Sequence, residues 1–115
     1  MKVRFQADAD RHQMIVTALM RREPRVDFQT ATAAGLAGLL DPHVLERAAT
    51  AGRVVSHDRS TMPQPFAAFI QNQPSAGLLS VPQHLPYAVV VAELLLIWDA
   101  SEAEEWINRV AYLPL

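Results

Sequence analysis

The chain reads as an α/β domain of three layers, with helices covering both faces of a mostly parallel central sheet. Three observations predict it. Short apolar, β-branched runs alternate with longer segments whose apolar residues recur at helical spacing. One such segment is bracketed by Asp41-Pro42, a helix-opening pair, and by Gly52, a helix stop. Immediately after Gly52, the run Val54-Val55 leads into the polar tip Ser56-His57-Asp58-Arg59. A buried parallel strand delivers a carboxylate to the carboxyl edge of a sheet in this way, and open α/β sheets keep their sites at that edge.

Taken in order, Lys2 to Ala7 predicts a first strand that ends in Asp8-Ala9-Asp10. Arg11 to Arg22 predicts a helix, because Met14, Ile15, Ala18 and Leu19 fall on one stripe. Asp10 is placed to cap it, and Glu23-Pro24 ends it. Val26 to Thr30 predicts a short second strand, and Ala31 to Leu40 either a small helix or a loop. In the helix from Asp41, Val44, Leu45, Ala48 and Ala49 form the buried face, and the central strand Arg53 to His57 follows. Pro63 and Pro65 mark a turn and a helix start, with Phe66, Phe69 and Ile70 as its stripe. Gly77 to Val81 is a further strand, and Pro86 opens a strongly apolar helix to about Trp98. Ser101 to Glu104 has the spacing of a capping box. Trp106 to Leu113 fits an extended tail or an edge strand.

The 115 residues suit one domain, residues 1–115, and half of them are hydrophobic. The lack of cysteine excludes disulfides and thiolate metal sites. The N-terminus lacks the apolar core of a signal peptide. The apolar run from Tyr87 to Trp98 is interrupted by Glu93 and falls short of the roughly 20 residues of a membrane span. A cytoplasmic protein with no membrane segment is expected. The net charge is only −2, but nine of the ten basic residues lie in residues 1–59. That half can attract phosphates, although the whole lacks the basic balance of a dedicated nucleic-acid binder.

Four aspartates are expected at one edge. Asp8 and Asp10 follow the first strand, Asp41 starts a helix and Asp58 ends the central strand. Strand carboxyl ends and helix amino ends share an edge in a doubly wound sheet. Carboxylates gathered there repel each other unless a cation sits among them. Ligands that are all oxygen select magnesium or manganese over zinc.

The run from Asp41 through Ala48-Ala49 and Gly52 to Ser56-His57-Asp58 resembles the central signature of PIN-domain proteins. In that family an aspartate opens a helix, an alanine-rich stretch and a glycine follow, and a strand ends in Thr/Ser-x-Asp. Asp8 matches the family's first acid. The resemblance covers roughly residues 3–60 and is closest to compact PIN-like proteins of otherwise unassigned function, often encoded beside a small antitoxin-like partner. It implies a PIN-like three-layer fold and a Mg²⁺- or Mn²⁺-dependent ribonuclease, the toxin of a VapBC-like pair. Carried over, Asp8, Asp41 and Asp58 bind the metal and Ser56 supports the site. The sequence departs from the family in two places. Full PIN domains carry a further acid, usually glutamate, before the position of Asp41, and nothing between Glu23 and Leu40 matches it. Compact members commonly have Asp-Glu-Asn where this chain has Asp8-Ala9-Asp10. Asp10 is therefore a fourth candidate ligand.

Structural readings stand beside these. Asp41 and Asp10 both read as helix caps, and Asp8 and Asp58 as turn residues at strand ends. His57 invites a general-base role, but it and Asp58 are strand neighbours that point to opposite faces and need not work together. Arg11, Arg53 and Arg59 are the expected phosphate contacts, with RNA as substrate. The apolar stripe of Val89, Val90, Leu94, Leu95, Ile97 and Trp98 is core, yet it spans more than one face, so a partner or a second subunit would cover part of it, as in a homodimer. A second reading is a non-catalytic PIN-like interaction module with a degraded acidic site. A third is a phospho-accepting receiver domain, which needs a lysine on a late strand, whereas this chain has only Lys2.

Overall fold

A computed structural model describes residues 1–8, 13–57 and 63–115. Asp10, Arg11, Asp58 and Arg59 therefore lie outside the described residues. The chain runs β1 (Phe5–Ala7), α1 (Gln13–Arg22), β2 (Phe28–Gln29), α2 (Ala31–Ala34), α3 (Asp41–Ala51) and β3 (Val54–His57). It continues through α4 (Pro63–Phe69), β4 (Leu78–Ser80), α5 (Tyr87–Ala100), a 3-10 turn (Ala103–Trp106) and β5 (Val110–Tyr112). The five strands form one sheet in the order β2-β1-β3-β4-β5, and every pair is parallel. An α/β fold of three layers results, as the alternation of elements predicts.

Strand alternation sorts the core into two halves. Val3, Phe5, Ala7, Val54 and Leu79 pack on α1 and α5, while Val55 and Leu78 pack on α3 and α4. In the first half, Phe5 and Phe28 stack with ring centroids 5.4 Å apart. Leu94 of α5 is fully buried there, and burial of a leucine side chain contributes about 1.5–3 kcal/mol.

Helix ends follow local chemistry. Thr30 caps α2, its Oγ1 accepting from the Ala33 N–H at 3.1 Å. That use of Thr30 keeps β2 to two residues, and the segment from Ala31 to Leu40 proves to be a short helix followed by a turn. Gly52 closes α3 with φ +69°, and its N–H donates to Ala48 and Ala49, a left-handed stop that favours glycine. Asp41 lies inside the first turn of α3 and not at its cap, which falls on Leu40 with no side-chain bond. The capping box is also displaced by one residue, to Glu102 and Glu105. Ser101 is occupied elsewhere, since its Oγ donates to Ile97 O at 2.5 Å and accepts from Trp106 Nε1 at 3.0 Å. The segment after Trp106 forms the parallel edge strand β5.

Candidate active site at the carboxyl edge

Sheet order locates a topological switch point. From β1 the chain crosses to β2 on one side, and from β3 it crosses to β4 on the other. The carboxyl ends of β1 and β3 therefore flank the switch point, where doubly wound sheets bind their ligands. Crossover helices run against the strands, so the first turn of α3 opens on this same edge.

The register continues to the tips. Ala7 pairs with Ser56, and Asp8 N–H donates to Ser56 O at 3.2 Å. Asp8 thus follows Ala7 as His57 follows Ser56, and both project to the face that Val55 gives to α3 and α4. Asp8 is buried with both carboxylate oxygens shut off from solvent, and His57 has no exposed surface. Burial of a carboxylate or an imidazole is costly and needs specific compensation. His57 carries no weight as a ligand in the sequence alone. Its place beside Asp8 depends on the β1–β3 register, which no local pattern shows.

Ser56, expected to support the acids, alternates with His57 and faces the α1 and α5 layer with Val54. Its Oγ is shut off from solvent and finds no hydrogen-bond partner among the described residues. Asp41 is half-buried in the first turn of α3, on the edge and face that Asp8 shares. Among the described residues, no three His, Asp or Glu side chains group closely enough to hold a metal ion. Asp8, His57 and Asp41 alone therefore do not make a cage. Gln6, on the same face, ties neighbouring backbone together. Its Nε2 donates to Ala7 O at 2.8 Å and to Gln29 and Thr30 O at 3.3 Å.

Arg53 is a correction to the expected phosphate contacts. It precedes β3, so it lies at the amino edge, across the sheet from Asp8. Its guanidinium binds Asp27 at 2.7 and 3.1 Å and Phe5 O at 3.1 Å. Arg25 at the same edge pairs with Glu23 at 2.8 and 3.0 Å. Those bonds, with the Arg25 backbone N–H, hold the Glu23 carboxyl down at about 2. Lys2, the lysine that a receiver domain would need, donates to Trp98 O at 2.9 Å and Asp99 O at 3.3 Å, also at the amino edge.

Among the described residues, no helix is long and apolar enough to cross a membrane. No protein-family model, curated protein or solved structure matches the chain.

Proposed function

We propose that the chain is a PIN-like, Mg²⁺- or Mn²⁺-dependent ribonuclease, working as the toxin beside a small antitoxin-like protein. The observation that carries this reading is the buried Asp8 carboxylate at the switch point, one strand away from buried His57. The Asp41-to-Asp58 pattern of the sequence supports it. Asp8, just after β1, and Asp41, in the first turn of α3, would offer oxygen ligands to the ion, and by the sequence pattern Asp10 and Asp58 would join them. A bound ion would supply an acidified water and offset charge on a phosphodiester. Burial of Asp8 excludes bulk water from one side of the site, and Arg11 and Arg59 hold backbone phosphates.

The test is a calorimetric titration of Mn²⁺ into the protein and into Asp8→Asn and Asp58→Asn, with cleavage of a single-stranded RNA measured alongside. Stoichiometric binding and metal-dependent cleavage, both lost in each variant, are expected. An absence of binding in the parent would overturn the reading in favour of a non-catalytic interaction module. That alternative draws on the missing glutamate between Glu23 and Leu40 and on the strongly apolar helix α5.

A further inference from the structure

The aromatic side chains divide by position. All four phenylalanines and both tryptophans are buried, whereas Tyr87 is 47% and Tyr112 60% exposed. An exposed tyrosine keeps a large flat face in water, where burial would have been favourable. Both tyrosines stand at the carboxyl edge, the edge of the candidate site. Tyr112 ends β5 and pairs with Ser80, the last residue of β4. By strand alternation it shares the face of Val110, which packs with the α3 and α4 layer. Asp8 projects to that same face. Two strand spacings separate β5 from β3, about 10 Å. Tyr87 comes from the other layer, in the first turn of α5. It lies three, four and seven residues before the buried Val90, Val91 and Leu94, so it continues the inward stripe of the helix. Its exposure places that turn beyond the strand tips, with the ring over the edge.

Charge leaves these rings open to a polyanion. Asp99, Glu102, Glu104 and Glu105 belong to the amino edge, where Lys2 binds the Asp99 carbonyl and the N-terminal amine pairs with Glu102 and Glu104. Neither residues 77–92 nor residues 110–115 contain an acidic side chain, so phosphates passing the rings meet none from those segments. A ring on a protein surface stacks on a base only where that base is free of its own stack, which selects a single strand over a duplex. Two rings at one edge, on separate elements, serve two bases of one strand. We infer that Tyr87 and Tyr112 are base-stacking residues that hold a single-stranded RNA across the strand tips beside Asp8. The inference rests on the ribonuclease reading and adds to it the residues that grip the bases.

The test is fluorescence anisotropy with a short labelled single-stranded RNA of mixed sequence, in an Asp58→Asn background so that no cleavage intrudes. Tyr87→Ala and Tyr112→Ala should each weaken binding about 5- to 100-fold, with an unchanged circular dichroism spectrum. Tyr87→Phe and Tyr112→Phe keep the ring and should bind as the background protein does. The same RNA annealed to its complement should bind more weakly. Alanine variants that bind normally overturn the inference, as do phenylalanine variants as weak as the alanine ones. A background protein that prefers the duplex, or binds no RNA, overturns it too. The Mn²⁺ titration of the parent decides the catalytic reading separately. Metal binding with RNA affinity indifferent to the tyrosines leaves that reading standing and this inference fallen, and tyrosine-dependent RNA binding without metal binding does the opposite.

Discussion

At the amino edge of the sheet Arg53 grips Asp27 and the Phe5 carbonyl, Arg25 grips Glu23, and Lys2 reaches the last carbonyls of α5. At the carboxyl edge Asp8, Ser56 and His57 are buried at the tips of β1 and β3, at the switch point of the sheet. The first edge uses charge to tie strands and helix ends together. The second concentrates polar side chains where an apolar set would pack with less desolvation cost. Burial of such groups at the switch point is why the proposed site is put at the carboxyl edge, while the charges of the amino edge serve the fold. The difference teaches that an arginine's value as a phosphate contact depends on the end of its strand, which is why Arg53 leaves the candidate site.

Changes at the amino edge should therefore lower stability. The largest effect is expected at Gly77, which leads into β4 with φ +122°. A Cβ there would sit 2.6 Å from Trp106 O, and both the backbone angle and the contact oppose a side chain. Gly77→Ala should cost about 3 kcal/mol, read as a lower urea midpoint at unchanged slope. An unchanged midpoint would mean that the approach of Gly77 to Trp106 is not a constraint on the fold.

Arg53 and Asp8 give the most direct contrast between the edges. Arg53→Met removes two bonds to a half-exposed aspartate and one to a carbonyl, and should cost about 1 kcal/mol. Asp27→Asn should add little on top of it, since the two residues share one interaction. RNA affinity should not move. Asp8→Asn keeps the size of the side chain and removes the desolvation of a buried charge, so its midpoint without metal should fall less than that of Arg53→Met, while the proposed metal-dependent cleavage is lost. Equal stability losses at both positions would erase the distinction between the edges.

Much of this fold was legible in the sequence because its signals are local. The Asp41-Pro42 start and the Gly52 stop bound α3, and the β-branched pair Val54-Val55 marks β3. Asp8 was legible as a strand-end acid. What stayed hidden depends on pairing between distant segments. Nothing near His57 shows that it lies beside Asp8, and nothing near Ser56 shows that it turns to the other face. These are properties of the β1–β3 register. Arg53 was misplaced for a similar reason, because its partner Asp27 is 26 residues away. Local competition explains the shifted capping box, where Ser101 serves the end of α5 and Glu102 takes the role expected of it.

The smallest effect belongs to the Glu23–Arg25 pair, which tests whether amino-edge charge acts through pH. Hydrogen bonds from the Arg25 side chain, and then from its backbone, lower the Glu23 carboxyl from 4.5 to about 2. A carboxylate whose folded value lies below its unfolded one stabilises the fold at pH above the unfolded value. Its contribution is complete above pH 4.5 and is lost as pH falls from there toward 2. The Glu23→Gln protein lacks this titration, so the parent's advantage should shrink across that window and be flat from pH 6 to 8. Solvent around the pair makes the effect slight and sensitive to salt. Parallel thermal melts of parent and variant at pH 7, 4 and 2.5 would show the two midpoints converging. A constant offset at all three values would mean that Glu23 acts through packing, and the pair would no longer count among the charges that tie this edge together.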